Sequence, residues 1–536
     1  MAAVTLAIDQ GSSSSRCVVL GPGGADAARL ANTNAPGLAV LGTGSSPIPT
    51  SFPRPGWVEH DADEILATVR HAVADAMAQA GVSWTDVGRI GVAAQTETFV
   101  VWDRATGRPV YPAISWRDTR PAELCQRLRA TGHSDEVLRR TGLPLQPTFT
   151  APKLRWLLDH LDRGQRRADA GELLFGDVNC WLVWTLSGRT RHVTEPSMAA
   201  RTMLFSLAGL CWDTEMLGLF GIPEQMLPEV GPTIGRLAVT DPAVCGGRTR
   251  ICATVGDQQA ALFGQRCWQA GLAKLTLGTG AFLWCHAGHA PPELPPAGVV
   301  SSCAWQLADS VSYAFEGFVP NAGACTAWLR GLGLLHADDW PVIRAGAVER
   351  QAAAGLWCVP ALFGLGTPRW SAFPRADIIG LSAESGAADV AEATLLGVAH
   401  QIADAVDAVS SGLPGRLAAI RVDGGMSRNE SLLQAIADLC GTALEQTPNA
   451  EATALGAGAL AALADDSTDT ERLRQMLAEA AGPVRRVEPQ LSAASRTAVR
   501  AAWRSVLERS LAGWGAASEQ CQPQTGPDAL WPEAGR

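Results

Sequence analysis

A chain of 536 residues is too long for one hydrophobic core and is expected to divide into at least two domains. Apolar residues make up 47% of it, enough to build those cores, and a formal net charge of −10 without any basic block argues against a nucleic-acid-binding surface. Thirteen cysteines, odd in number and with no C-x-x-C pair, and a start without a charged-then-apolar leader lead to an expectation of reduced thiols and a cytoplasmic location.

The first element is LAIDQGSSSSRCVVLG, residues 5 to 20. Two apolar arms flank a Gly–Ser turn, as in a β-hairpin, and Asp9 closes the first arm. Small residues let backbone N–H groups approach a bulky anion. An aspartate beside them would repel that anion unless a divalent cation lay between, so the pattern predicts a magnesium-nucleotide site. Residues 36 to 56, rich in Pro, Gly, Ser and Thr, predict a loop. HDADEILATVRHAVADAMAQAG has helical period, with Asp61 or Asp63 as N-cap and Gly81 as stop. IGVAAQTETFVVWD returns to strand character.

The same style recurs further on. AKLTLGTGAFLWC is β-rich around a Gly-Thr-Gly turn. CHAGH, with Cys285, His286 and His289, lacks a fourth metal ligand nearby and reads as a loop with incidental histidines. ATLLGVAHQIADAVDAV puts Leu395, Ala399, Ile402, Val406 and Val409 on one helical face. LAAIRVDGGMSRNESLLQAIADLCGTAL predicts a strand, a glycine turn and a helix with Leu432, Leu433, Ile436 and Leu439 inward. EATALGAGALAALA is a small-residue helix suited to close packing, and the Gln-, Pro- and Gly-rich end from about 515 predicts a loose tail. No apolar run reaches the roughly 18 residues of a membrane span. LAIDQGSSSSR and IRVDGGMSRNE echo one another, which suggests two similar halves whose loops surround one cleft.

A P-loop needs G-x-x-x-x-G-K-[ST], but the chain's only lysines, Lys153 and Lys274, follow Pro152 and Ala273. A dinucleotide fingerprint leads from a strand into a helix, whereas DQGSSSSR leads into another strand. What remains is Asp9 with its Gly–Ser hairpin, GTG at 278–280 and DGG at 423–425. In this order they resemble the sugar-kinase, actin and heat-shock ATPase superfamily. The longer motifs GWVEHDADEI, QTETFVVWDRATGRPVYPAISWRDTR, ARTMLF, GDQQAALFGQ, FEGFVPNAGACTAWLR and VPALFGLGTPRW resemble the FGGY carbohydrate kinases, glycerol kinases most closely, from about residue 4 to about 465.

The resemblance implies an α/β fold of two actin-like (ribonuclease H-like) ATPase domains flanking a central cleft. It implies an N-terminal domain over 1–264 with acceptor and catalytic residues, a C-terminal domain over 265–490 that binds nucleotide, and a helix and loose tail over 491–536. ATP and Mg2+ are the implied cofactors. Gly11, Ser12, Ser13 and Ser14, with adjoining Arg16, match the first phosphate hairpin, and Gly278 and Thr279 the second. Gly424 and Gly425 match the adenosine-side turn, Asn429 a base contact, and Gly323 the start of the helix flanking the base. Four residues beyond that glycine, where the family has Gln, stands Ala327.

Asp9 matches the metal-associated carboxylate. Asp257, also at the metal, matches the catalytic base, and Gln258 adjoins it in the substrate site. A carboxylate within hydrogen-bond reach can take the proton of an alcohol as the bond to phosphorus forms. In the acceptor pocket Glu97 is kept, and Trp116 and Phe282 match the apolar wall. Thr96 stands where glycerol kinases carry Arg, and Thr148 where they carry Tyr. Losing a forked donor and a ring implies a wider, less polar pocket and an acceptor, a small polyol or sugar, for which glycerol is not the best choice. Two alternatives stand beside this: glycerol kinase proper, and a non-catalytic actin-like nucleotide or sugar sensor, which would need neither Asp9 nor Asp257. The shortened CGGRTR at 245–250 implies no inhibition by a sugar bisphosphate. No nucleic acid or membrane partner is expected, and homo-oligomer formation stays open.

Overall fold

The computed structural model describes residues 4–22, 38–308, 310–336, 340–371, 375–446, 451–464, 473, 475–478 and 484–520. The Gly–Ser turn does close a hairpin. β1 (Val4–Gln10) pairs antiparallel with β2 (Ser14–Gly21), Asp9 lies opposite Arg16, and the Gly11 N–H donates to Ser14 O at 3.0 Å. β1 lies mid-sheet, which is why its apolar residues run consecutively rather than alternate.

Within the loop expected over residues 36 to 56, residues 39–47 form a strand, which corrects the compositional reading there; residues 48–56 form no strand beyond an isolated bridge at Ser51, and residues 36 and 37 lie outside the described residues. β3 (Ala39–Pro47) pairs with β2 from Ser14↔Pro47 to Gly21↔Ala39. Its glycines serve a close approach instead of a turn. A Cβ at Gly42 would lie 2.4 Å from the Ala76 carbonyl oxygen of α1 (Ala62–Ala80), and one at Gly44 2.1 Å from that of Ala72. α1 begins where Asp61 accepts from the N–H groups of Asp63 and Glu64, so Asp61 is the cap, and it stops at Gly81 with φ 66°.

β4 (Val87–Ala94) follows. The strand character predicted across QTET is broken there, because Gln95–Thr98 form a turn in which Glu97 has φ 60°. A left-handed, non-glycine residue costs roughly 1–3 kcal/mol and clusters at functional sites. α2 (Thr150–His160), β5 (Ile234–Val239), β6 (Arg250–Gly256) and α3 (Asp257–Gly264) complete the first half. Its sheet runs β5-β6-β4-β1-β2-β3. A four-stranded lobe beside it, built from Glu59–His60, Phe99–Asp103, Ala113–Ile114 and Leu173–Asp177, carries the loops that reach the cleft.

The second half repeats this plan. β7 (Leu272–Leu277) and β8 (Ala281–Gly288) form the hairpin, followed by β9 (Val300–Leu307), β10 (Ser310–Val319), α4 (Gly323–Gly331) and α5 (Ala387–Ser410). β11 (Ala419–Asp423), α6 (Glu430–Cys440), β12 (Leu444–Gln446), α7 (Ala452–Leu463), β13 (Arg485–Val487) and α8 (Ala493–Gln520) finish it. The order is β9-β10-β8-β7-β11-β12-β13. In both sheets a central strand has an antiparallel hairpin partner on one side and two parallel strands, then an antiparallel edge, on the other.

The topology re-pairs the sequence echo. β1 corresponds to β7 with its GTG turn, and the DGG strand β11 corresponds to β4. The two fold classes agree: mixed sheets with flanking helices, twice, as expected of an α/β pair of actin-like domains. Leu395, Ala399, Ile402, Val406 and Val409 are buried along α5, and Leu432, Leu433, Ile436 and Leu439 along α6. α7 packs on the first half, where a Cβ at Gly456 would lie 1.8 Å from the Ala260 carbonyl oxygen of α3. One apolar cluster accordingly contains Ala7, Leu20, Ala93 and Leu262 together with Trp284, Leu455 and Leu460. α8 runs to Gln520, beyond the start of the predicted tail, and residues 521–536 lie outside the described ones.

Candidate active site

Three glycine turns distant in sequence meet as one unit. The Gly323 N–H at the start of α4 donates to Gly278 O at 2.9 Å, and the N–H groups of Ala322 and Ala324 donate to Thr279 O at 3.1 and 3.0 Å. A Cβ at Gly323 would lie 2.6 Å from Gly278 O, and one at Gly424, where φ is 89°, 2.5 Å from Leu277 O. Gly and only Gly lets these backbones touch. Thr279, Gly424 and Gly425 remain exposed at this junction, as do Ser13 and Arg16 on the first hairpin. Asn429 is engaged within the protein: it caps α6 through Leu432 N–H, and its Nδ2 donates to Pro341 O at 2.8 Å. Ala327 is exposed on α4 and offers no polar group.

The two carboxylates of the sequence reading come from the ends of two parallel strands that flank β4, Asp9 on β1 and Asp257 at the first residue of α3, just after β6. Burial first, and then repulsion from Asp257, push the Asp9 carboxyl up to about 7, with Arg16 pulling against them. Burial likewise raises Asp257 to about 6, opposed first by the Lys274 ammonium and then by the Gln258 N–H, which donates to Asp257 Oδ1 at 2.7 Å. Among the described residues no three metal-ligating side chains cluster. Two half-buried carboxylates that repel one another still fit Mg2+, which is usually held by one or two carboxylates, with phosphates and water completing its shell. Lys274 on β7 reaches the first half, donating from Nζ to Gln258 Oε1 at 2.6 Å and to Thr276 Oγ1 at 3.0 Å.

Beside these groups lies a cavity of about 220 Å3 lined by Ser12, Thr96, Glu97, Trp116, Thr148, Asp257, Gln258 and Phe282, all expected, and by Phe149, Arg201, Trp284, Glu316, Phe318 and Trp370, which were not. The Trp116 Nε1–H donates to Ser12 Oγ at 2.8 Å and ties the Gly–Ser hairpin to the aromatic wall of the cavity. The wall itself is a chain of rings, Trp116–Phe282 at 6.4 Å, Phe282–Phe318 at 4.8 Å and Phe318–Trp370 at 6.2 Å between centroids.

Arg201 adds a charged group that the motif reading did not place in the pocket. Its Nε donates to Glu97 Oε1 at 2.5 Å and its Nη2 lies 2.7 Å from Glu316 Oε2, so a guanidinium still stands in the pocket although residue 96 is Thr. Thr96 Oγ1 donates to the other Glu97 oxygen at 2.6 Å.

Models of the N-terminal and C-terminal domains of the FGGY family of carbohydrate kinases match residues 4–264 and 273–464. The chain belongs to this family. A glycerol kinase from Aromatoleum aromaticum is 41% identical over 516 residues, covering 96% of this chain and 99% of that protein. One from Citrifermentans bemidjiense is 40% identical over 512 residues, covering 95% and 99%. The crystal structure of Plasmodium falciparum glycerol kinase with ADP superposes with a TM-score of 0.84 at 27% identity, over 95% of this chain and 98% of that one. This FGGY kinase is thus an ATP-dependent phosphotransferase of the polyol and sugar class, working with Mg2+. No described helix is long and apolar enough to cross a membrane.

The kinase keeps both of its lysines at this site, and both are fully buried. Lys153, on α2, donates from Nζ to the carbonyl oxygens of Glu97 at 3.0 Å, Ser115 at 3.0 Å and Thr148 at 2.7 Å. Three loops that bear cavity-lining residues are thereby held by one ammonium, whose three tetrahedral donors suit three converging carbonyls better than a planar guanidinium would. CHAGH, read as a loop, is corrected to the end of a strand: Cys285 to Gly288 belong to β8, and the His286 ring accepts from Gly288 N–H at 3.1 Å and sits in the core.

Proposed function

We propose that this kinase transfers the terminal phosphoryl group of ATP to a hydroxyl of a small uncharged polyol or sugar, with Asp257 as general base. The juxtaposition of Asp9, Asp257 and the acceptor cavity carries this reading. Glu97 and Gln258 hold acceptor hydroxyls, and Trp116 and Phe282 take the carbon face. With a carboxyl near 6, Asp257 is ionised at neutral pH and can accept the hydroxyl proton while the oxygen attacks phosphorus and ADP leaves. Lys274 favours that ionised form and fixes Gln258. The hairpin residues Gly11–Ser14, the Gly278–Thr279 turn and Gly424–Gly425 bracket the nucleotide. Bound Mg2+, held by Asp9 with Asp257, supplies charge neutralisation on the phosphate oxygens. Closure of the two halves excludes water and limits wasteful hydrolysis.

A cytoplasmic place of action belongs to the same proposal, supported by twelve described cysteines, all as free thiols. The retained pair Asp9 and Asp257 speaks against a mere sensor. The test is ADP release from MgATP with and without a panel of polyols and ketoses, glycerol included. Acceptor-dependent release is expected; a protein that releases no ADP with any of them while binding nucleotide is a sensor, and the proposal fails.

A further inference from the structure

The acceptor cavity has depth that a triol does not use. β8 and β10 run antiparallel, with Phe282 opposite Phe318 and Trp284 opposite Glu316. Side chains two apart share a sheet face, so the Trp284–Glu316 pair stands roughly 7 Å farther from the GTG turn than the Phe282–Phe318 pair. All four line the cavity. An extended carbon chain advances about 1.2 Å per bond, as a backbone does over its three bonds per residue. The four bonds between the end oxygens of a triol therefore cover only about 5 Å, and the six bonds of a pentitol about 7 Å. Volume gives the same answer: at on the order of 30 Å3 per hydroxylated carbon, close to one water's share of the liquid, three carbons leave more than half of the cavity's roughly 220 Å3 unfilled.

The far level of the cavity carries donors with nothing to bind. Arg201 is 4% exposed; its Nε and Nη2 face Glu97 and Glu316, but its buried Nη1 has no hydrogen-bond partner. Trp284 is fully buried, and its Nε1 has none either. The guanidinium is fixed between the rings of Phe149 and Trp284, at 5.4 and 5.3 Å from their centroids, so it cannot swing away to find an acceptor. Buried donors are normally satisfied. Two in one cavity wall call for oxygen atoms of a ligand.

Charge narrows the class. Among the lining side chains, Glu97, Glu316 and Asp257 face the one guanidinium of Arg201, and the ammonium groups of Lys153 and Lys274 behind them are engaged by Glu97 and by Asp257 and Glu316, so no cation is left over for an anionic acceptor. We propose that Arg201, Trp284 and Glu316 form a distal subsite for the oxygens of the fourth and fifth carbons of an uncharged open-chain polyol or ketose. This rests on the kinase reading above and names its acceptor class. Glu316 accepts a hydroxyl proton in the bond, while Arg201 Nη1 and Trp284 Nε1 donate.

The experiment compares kcat/KM of the wild-type enzyme for glycerol, erythritol, ribitol, xylitol, ribulose and xylulose, with ribonate as the anionic counterpart. A four- or five-carbon neutral acceptor is expected to exceed glycerol by at least about 10-fold, with ribonate weaker than ribitol. W284F, which keeps the ring and removes the N–H, is expected to cut the five-carbon-to-glycerol ratio of kcat/KM by about 10-fold, mainly through KM. Glycerol as the best acceptor, ribonate matching ribitol, or an unchanged ratio in a folded W284F overturns the subsite and leaves the kinase reading standing. If W284F does not fold, the wild-type series decides alone. A protein inert toward every acceptor overturns the kinase reading instead.

Discussion

At the scale of single residues, the pocket combines two threonines, Thr96 and Thr148, with a buried guanidinium, Arg201. Thr148 Oγ1 donates to Trp116 O at 3.2 Å, and its side chain lines the acceptor cavity proposed above. Filling that space is a direct test. T148Y is expected to lower kcat/KM for five-carbon polyols by at least about 10-fold and to shift preference toward glycerol, as pocket-filling changes do. Equal effects on both acceptors would show that residue 148 does not bound the carbon chain. Glu97, Trp116, Thr148, Asp257 and Phe282 were legible in the sequence because each sits in a motif whose neighbours are also in the motif. Arg201, Trp284 and Glu316 were not. The Arg201–Glu97 bond joins residues 104 apart, and Glu316 comes from the other half of the chain. No local period or spacing announces a contact made only when two sheets face each other. The one available signal was ARTMLF, in which an Arg stands among residues that are otherwise apolar or hydroxyl-bearing and buried.

At the scale of elements, α2 matters through Lys153 more than through its length. Burial, opposed mainly by Glu97, lowers the Lys153 ammonium to about 7. An unfolded chain keeps that proton until about 10.4, so between pH 7 and 10 the unfolded state binds more protons and wild-type stability rises with pH. The burial penalty is therefore full below pH 7 and fades as pH climbs. Relative to K153M, the wild type is expected to gain on the order of 2 kcal/mol from pH 7 to pH 9, read from urea midpoints. K153M is also expected to raise the acceptor KM about 10-fold with the KM for ATP little changed, since the three loops that it ties bear acceptor residues. Parallel pH curves for the two proteins would contradict the buried-ammonium account. Elements themselves were legible where periodicity and caps agreed, as in α1 between Asp61 and Gly81. β3 was missed because its Gly, Ser and Thr look like turn formers in one dimension, whereas Gly42 and Gly44 are small so that α1 can lie on them. The strand break at QTET was missed for the opposite reason: apolar runs on both sides hid a left-handed Glu97.

At the scale of the whole molecule, two sheets of one topology present their turns to a shared cleft. The hairpin of β1 and β2 brings Asp9 and the serines; that of β7 and β8 brings the GTG turn and, through Lys274, a hand across to Gln258. The likeness of the halves was legible as an echo of strand, Asp and glycine turn, but its pairing was not, because strand order in a sheet is a long-range property. α7 locks its small-residue face onto α3 and β4, so the carboxylate that heads α3 is carried on an element packed by both halves. The account therefore has a single most exposed point, the chemical role of Asp257. Wild-type and D257N protein should be compared for acceptor-dependent ADP formation and for ATP binding by calorimetry. The account predicts a loss of kcat of at least about 10^2-fold with nucleotide affinity held within about twofold. Phosphoryl transfer by D257N at the wild-type rate would contradict it.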